Sequence, residues 1–117
     1  ASDVYKRQEL DMLPGVPPIT ADYPEFGRYL PWGPFYGIFV KRDVPDEAKT
    51  KLVAAFKEGA QTPEFQQLMT DSGNVMMNIS GDEADEFLKK WQSVTSWLLQ
   101  DAGAAKVSPE EFGIPRP

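Results

Sequence analysis

The chain reads as an α/β protein in the order strand, helix, helix, strand, long helix. Three observations carry that expectation. Phe35–Val40 is a run of aromatic and aliphatic residues of the kind that fit a pleated, half-buried surface. It stops at Lys41-Arg42-Asp43, after which Pro45 stands where a first helical position is wanted and Asp46 and Glu47 meet the positive end of a helix. Far downstream, Ala84, Phe87, Leu88, Trp91, Val94, Trp97, Leu98 and Ala102 recur at threes and fours, the stripe of a long amphipathic helix.

The helix opened at Asp46 carries Leu52, Val53, Phe56 and Ala60 on one stripe, with Glu47 and Lys51 paired four apart in the favourable order. Gly59 weakens its last turn. Thr62-Pro63-Glu64 restarts the chain as N-cap and first turn of a short helix with Phe65, Leu68 and Met69 on its inner face. Gly73 is the natural left-handed stop. Asn74–Ile79 then reads as a second strand, with Val75, Met77 and Ile79 on one face. Ser80-Gly81-Asp82-Glu83 opens the long helix, its acids near the positive end, and Gly103 closes it.

Outside this predicted core of 35–103 the chain is less regular. Ala1 to Gln8 have neither a secretory apolar core nor helical spacing, and residues 1–11 read as a truncation point or an extraneous segment. Residues 12–34 hold Pro14, Pro17, Pro18, Pro24, Pro31 and Pro34, which predicts a Pro-pinned loop or hinge. Thr20–Tyr23 has room for one helical turn before Pro24. Tyr23, Phe26, Tyr29 and Trp32 recur at threes, so the loop lies on something apolar or lines a cleft. In the tail, 104–117, Ser108-Pro109-Glu110-Glu111 is a capping box with Pro at the first position.

Composition excludes more than it identifies. The chain has 117 residues, enough for one domain with a modest core, and 41% are hydrophobic, which argues against global disorder. A net charge of −6 argues against nucleic acid and anionic membrane as partners. No apolar run reaches the roughly 18 residues that a bilayer span needs. With no Cys and no His there are no disulfides, thiolates or imidazole bases, and most zinc sites are ruled out.

No catalytic, cofactor or metal set stands out. Asp82, Glu83, Asp85 and Glu86 lack calcium-loop spacing. Gly33–Gly37 lacks the Lys and helix placement of a phosphate loop. Met76 and Met77 read as gap-fillers rather than a copper site, and Trp91 and Trp97 read as core anchors rather than sugar platforms. No nucleophile has a base partner, so an enzyme is not expected.

The serial order of local motifs carries a resemblance. Pro17-Pro18-Ile19-Thr20 is followed by Phe35–Val40, Val44-Pro45-Asp46-Glu47, Leu52–Phe56 and Pro63-Glu64-Phe65. The Gly73 stop, Ser80-Gly81-Asp82-Glu83 and Phe87-Leu88-Lys89-Lys90-Trp91 complete it. Over residues 12–103 the chain resembles the C-terminal part of the substrate-binding proteins of tripartite tricarboxylate transporters, the Bug family of extracytoplasmic solute receptors. The resemblance implies a fragment of a two-lobed, periplasmic-binding-protein-like α/β fold. It implies a periplasmic receptor that captures a small carboxylate and delivers it to membrane permease subunits, without inserting into the membrane itself. In that family the acid is held mainly by backbone N–H groups at loops and helix starts, most of them in the N-terminal part. Trp32, Phe35 and Tyr36 are the candidates here for the cleft rim. The alternative is a small interaction domain that docks a protein through the aromatic loop 23–36.

Overall fold

The computed structural model describes residues 13–117, and among them the fold is all-helical. A four-residue helix α1 (Ile19–Asp22) leads into a 3-10 helix, Pro24–Tyr29. Helices α2 (Asp46–Ala60), α3 (Pro63–Asp71) and α4 (Asp82–Asp101) follow, and a short 3-10 helix, Pro109–Phe112, ends the series.

The expected α/β architecture is therefore corrected. Phe35–Val40 and Asn74–Ile79 lie in segments that are neither helix nor strand, and no strand forms among the described residues. The physical reason is that a helix satisfies its backbone internally, whereas a strand needs a second strand. Apolar, β-prone composition supplies the preference but not the partner. The expected truncation or extraneous segment, 1–11, lies outside the described residues.

The chain divides into two compact units. One comprises the described residues up to Gly33 together with Gly81–Pro117; the other is Pro34–Ser80.

In the first unit α4 is the spine. Its helical periodicity of about 100° per residue sets Ser93, Trp97 and Asp101 in one row and Trp91 and Thr95 in another, with Val94 between them. Val94 and Trp97 are buried, and Ser93 is buried beside them. Trp91 and Leu98, expected at the centre of the stripe, are only half-buried, and Ala102 is exposed. The rows grip main-chain carbonyls of two irregular segments. Lys90 Nζ donates to Leu30 O at 2.6 Å and Trp91 Nε1 to Gly33 O at 2.8 Å. Ser93 Oγ donates to Pro115 O at 2.7 Å and Trp97 Nε1 to Ile114 O at 3.1 Å. Each bond satisfies a carbonyl that has no ladder or helix of its own. The Pro-pinned segment thus arrives at α4 with Leu30 buried and the Leu30–Pro31 bond cis.

The second unit is thinly packed. Ala60 is its one buried hydrophobic residue. On α2 the inward row is Lys49, Val53, Phe56 and Ala60, whereas Leu52, expected on that stripe, stands exposed. On α3 only Met69 of the three expected inner residues is half-buried; Phe65 and Leu68 face outward. Val75 and Met77 are exposed as well, leaving Ile79 of its expected face half-buried. The helical period was right for both helices, but there is too little opposite them to cover.

Helix ends follow local chemistry. Pro45 takes the N-cap of α2 rather than the first helical position. Glu47 and Lys51 pair at 2.7 Å as expected. Thr62 caps α3 by backbone position alone, since its hydroxyl donates to Gly59 O at 2.8 Å. Both α3 and α4 end in Schellman turns. Asn74 N reaches Met69 O and Gly73 N reaches Thr70 O after α3; Ala104 N reaches Leu99 O and Gly103 N reaches Gln100 O after α4. In the tail, Ser108 Oγ accepts from Glu110 N at 3.3 Å, which is the capping half of the expected box.

Candidate functional site

Trp32, Phe35 and Tyr36 do not share one unit. Trp32 belongs to the first, where its indole N–H donates to Thr95 Oγ1 at 2.9 Å. Indole has a single donor, so the ring is oriented by α4 and offers its half-buried face rather than its N–H to a ligand. Phe35 and Tyr36 belong to the second unit. Phe35 is half-buried and meets Phe39 edge-on, with ring centroids 6.4 Å apart. Tyr36 is 86% exposed.

The segment that carries Phe35 and Tyr36 continues as the most exposed apolar run among the described residues. Ile38 is 69% and Phe39 67% exposed, and Val40 is exposed beside them. Sequence alone reads the same residues as a half-buried strand; their composition tells of an apolar surface but not of what would cover it. Large apolar side chains exposed in succession mark a surface that meets something else. Lys41 and Arg42 end the run, both exposed. Lys49 Nζ crosses back to Arg42 O at 3.0 Å and to Asp46 Oδ1 at 3.2 Å, which fixes the turn into α2.

The aromatic loop takes a definite form. Pro24 starts the 3-10 helix, a role its place after Tyr23 could have signalled. Tyr23 and Phe26 meet edge-to-face at 5.9 Å, and Phe26 and Tyr29 lie 6.4 Å apart. Tyr23 and Phe26 are exposed. The Arg28 guanidinium stands 4.6 Å from the Tyr29 ring centroid and hydrogen-bonds its hydroxyl. An open depression of about 320 Å³, lined by Thr20, Pro24, Gly27 and Arg28, adjoins them. A second cleft, about 500 Å³, runs between α4 and the tail, lined by Lys89, Gln92 and Phe112–Pro115.

The described residues hold no group of three or more acidic side chains placed to bind a metal ion. At Lys89, the hydrogen bond to Glu86 and that carboxylate's charge raise the pKa above the ordinary 10.5, with Asp85 and Asp82 adding to the field. That describes a solvated ion pair rather than a poised base. Asn78 takes a left-handed backbone, φ 49°, and its buried Oδ1 has no hydrogen-bond partner. No helix among the described residues is long and apolar enough to cross a membrane.

Comparison of the chain with protein-family models, with curated proteins and with solved structures found no match.

Proposed function

We propose that the chain is part of an extracytoplasmic, periplasmic solute-binding receptor that captures a small carboxylate and passes it to the permease subunits of a tripartite tricarboxylate-type transporter. The observation that carries this reading is the exposure of Tyr36, Ile38, Phe39 and Val40 in a unit whose only buried hydrophobic residue is Ala60. Such a surface suits a segment covered by further chain of the same protein, as the C-terminal part of a larger receptor would be. The serial resemblance of residues 12–103 to that part supplies the identity of the whole. In this reading Phe35 and Tyr36 are the rim candidates of the second unit and Trp32 that of the first, each offering a ring face. The anion is neutralised chiefly by backbone N–H groups, because Lys41 and Arg42 point to solvent at a turn.

A second reading is favoured by one observation, the exposed edge-to-face pair Tyr23 and Phe26 beside Arg28. It makes the loop 23–36 a docking surface for a protein. A thermal-shift screen of di- and tricarboxylates and aromatic acids on the full-length protein separates the two. A raised melting temperature with an acid supports the receptor. No shift with any acid, together with capture of a protein that is lost in Tyr23→Ala, supports the docking module.

A further inference from the structure

We propose that Ile114–Pro117 is a lid over the Ser93–Trp97 face of α4, opening and closing as a unit, and that Arg116 is the positioning residue that closes it. The segment is set off from what precedes it. The 3-10 helix Pro109–Phe112 closes on itself through Gly113 N to Glu110 O and Ile114 N to Pro109 O. Gly113 then turns the chain in the left-handed region, φ 65°. Beyond the N–H of Ile114, which stays in that turn, the chain can leave α4 without unwinding the turn.

The anchors of the segment run to one helical row. Pro115 O and Ile114 O accept from Ser93 and Trp97. Arg116 forks onto Asp101, Nη2 to Oδ1 at 2.7 Å and Nη1 to Oδ2 at 3.0 Å. The same guanidinium lies over the Trp97 indole, 4.4 Å from the ring centroid. A planar fork that stacks and pairs at once is particular to Arg.

What lies beneath is unevenly filled. Trp97 is only 8% exposed under the closed segment. Yet a cleft of about 500 Å³, lined by Lys89, Gln92 and Phe112–Pro115, opens beside the Ile114 and Pro115 anchors. Closure therefore rests on the polar anchors and the Arg116 stack more than on continuous close packing. The Arg116–Asp101 pair is about half exposed on both sides, so dissolved salt weakens it. The lid is consequently sensitive to ionic strength, and opening it joins the cleft to the Trp97 ring.

Hydrogen exchange of the indole N–H protons, followed by NMR on the intact chain, reads the lid directly. Trp32, Trp91 and Trp97 each donate to a different acceptor, so three signals report three places. Raising NaCl to about 1 M should speed Trp97 exchange roughly threefold to tenfold while Trp32 and Trp91 hold their rates. Arg116→Gln should do the same without added salt, and Arg116→Lys should recover part of the protection. If Arg116→Gln fails to fold, the salt titration of the unsubstituted chain decides alone. Trp97 exchange that ignores salt, or that keeps step with Trp91 throughout, would overturn the lid and make the segment an integral part of the core.

Discussion

The Trp91 indole donates to the carbonyl of Gly33, 2.8 Å away and 58 positions earlier in the chain. With Lys90 on Leu30 O and Trp32 on Thr95, it fastens residues 30–33 to one face of α4. Trp91→Phe keeps most of the ring and removes the donor; Thr95→Val removes the acceptor for Trp32. Each should cost about 1 kcal/mol in urea denaturation. Because both release the same segment, the double variant should cost less than the sum of the two. Strict additivity would show that the two bonds hold independent pieces of chain.

Burial ranks the two stripes differently from their periodicity. Trp97→Ala should cost about 3–5 kcal/mol, the range for emptying a large aromatic site. Leu52→Ala, on an exposed position of α2, should stay within about 0.5 kcal/mol. Chemical denaturation of both variants checks the contrast. Comparable losses would mean that α2 packs through Leu52 after all.

The run Tyr36–Val40 should behave as an uncovered surface in the isolated chain. Ile38→Asp with Phe39→Asp should lower binding of an apolar dye and lower self-association, with little change in the melting temperature. On the receptor reading, further chain covers this run, and in that longer protein the same pair should impair folding. An unchanged full-length protein would remove the observation on which the receptor reading rests.

On the same reading, a bound carboxylate should stabilise the full-length protein by roughly 2.7 kcal/mol at a hundredfold excess over Kd. Lys41→Ala with Arg42→Ala should leave that gain largely intact. Loss of the shift in the double variant would assign the acid to these two cations rather than to backbone amides.

Lys89 supplies a pH prediction whose sign follows from its pairing. Its pKa is raised in the folded state, by the hydrogen bond to Glu86 first and by that carboxylate's charge second. The associated stabilisation is fully present below the ordinary Lys value of 10.5 and is lost as pH climbs through the raised folded value. Between pH 6 and pH 9, to choose about the usual working range, the pair should contribute no pH dependence. Titration of the Lys89 ε-carbon by NMR should show the elevated value, and Glu86→Gln should return it toward the ordinary one.

The helices were legible because their information is local. Asp46 and Glu47 after Pro45, Thr62-Pro63-Glu64, Gly73 and Gly103 each mark an end with residues inside the same turn. The segments Phe35–Val40 and Asn74–Ile79 were misread because a strand is defined by a partner that composition cannot supply. Phe65 and Leu68 failed for a related reason: periodicity names a face, while burial depends on what stands opposite. Of the rim candidates, sequence could flag Trp32 as an anchor or a wall. Only the fold reveals that Thr95, 63 positions away, takes its N–H. The Arg116–Trp97–Asp101 cluster likewise needed the tail to be folded back before any of its members could be singled out.

The stop after α4 has one more consequence. Gly103 sits at φ 70°, and a Cβ built on it would meet nothing within 4 Å. Crowding therefore plays no part in its choice, and the length of the longest helix is set by handedness. An L-alanine there would be strained in spite of the empty space around it, since left-handed backbone costs an L-residue roughly 1–2 kcal/mol. Its mirror image, D-alanine introduced by chemical ligation, would sit in its own preferred region and restrict the unfolded chain as well. At this position the protein discriminates between two enantiomers of identical size, hydrophobicity and charge.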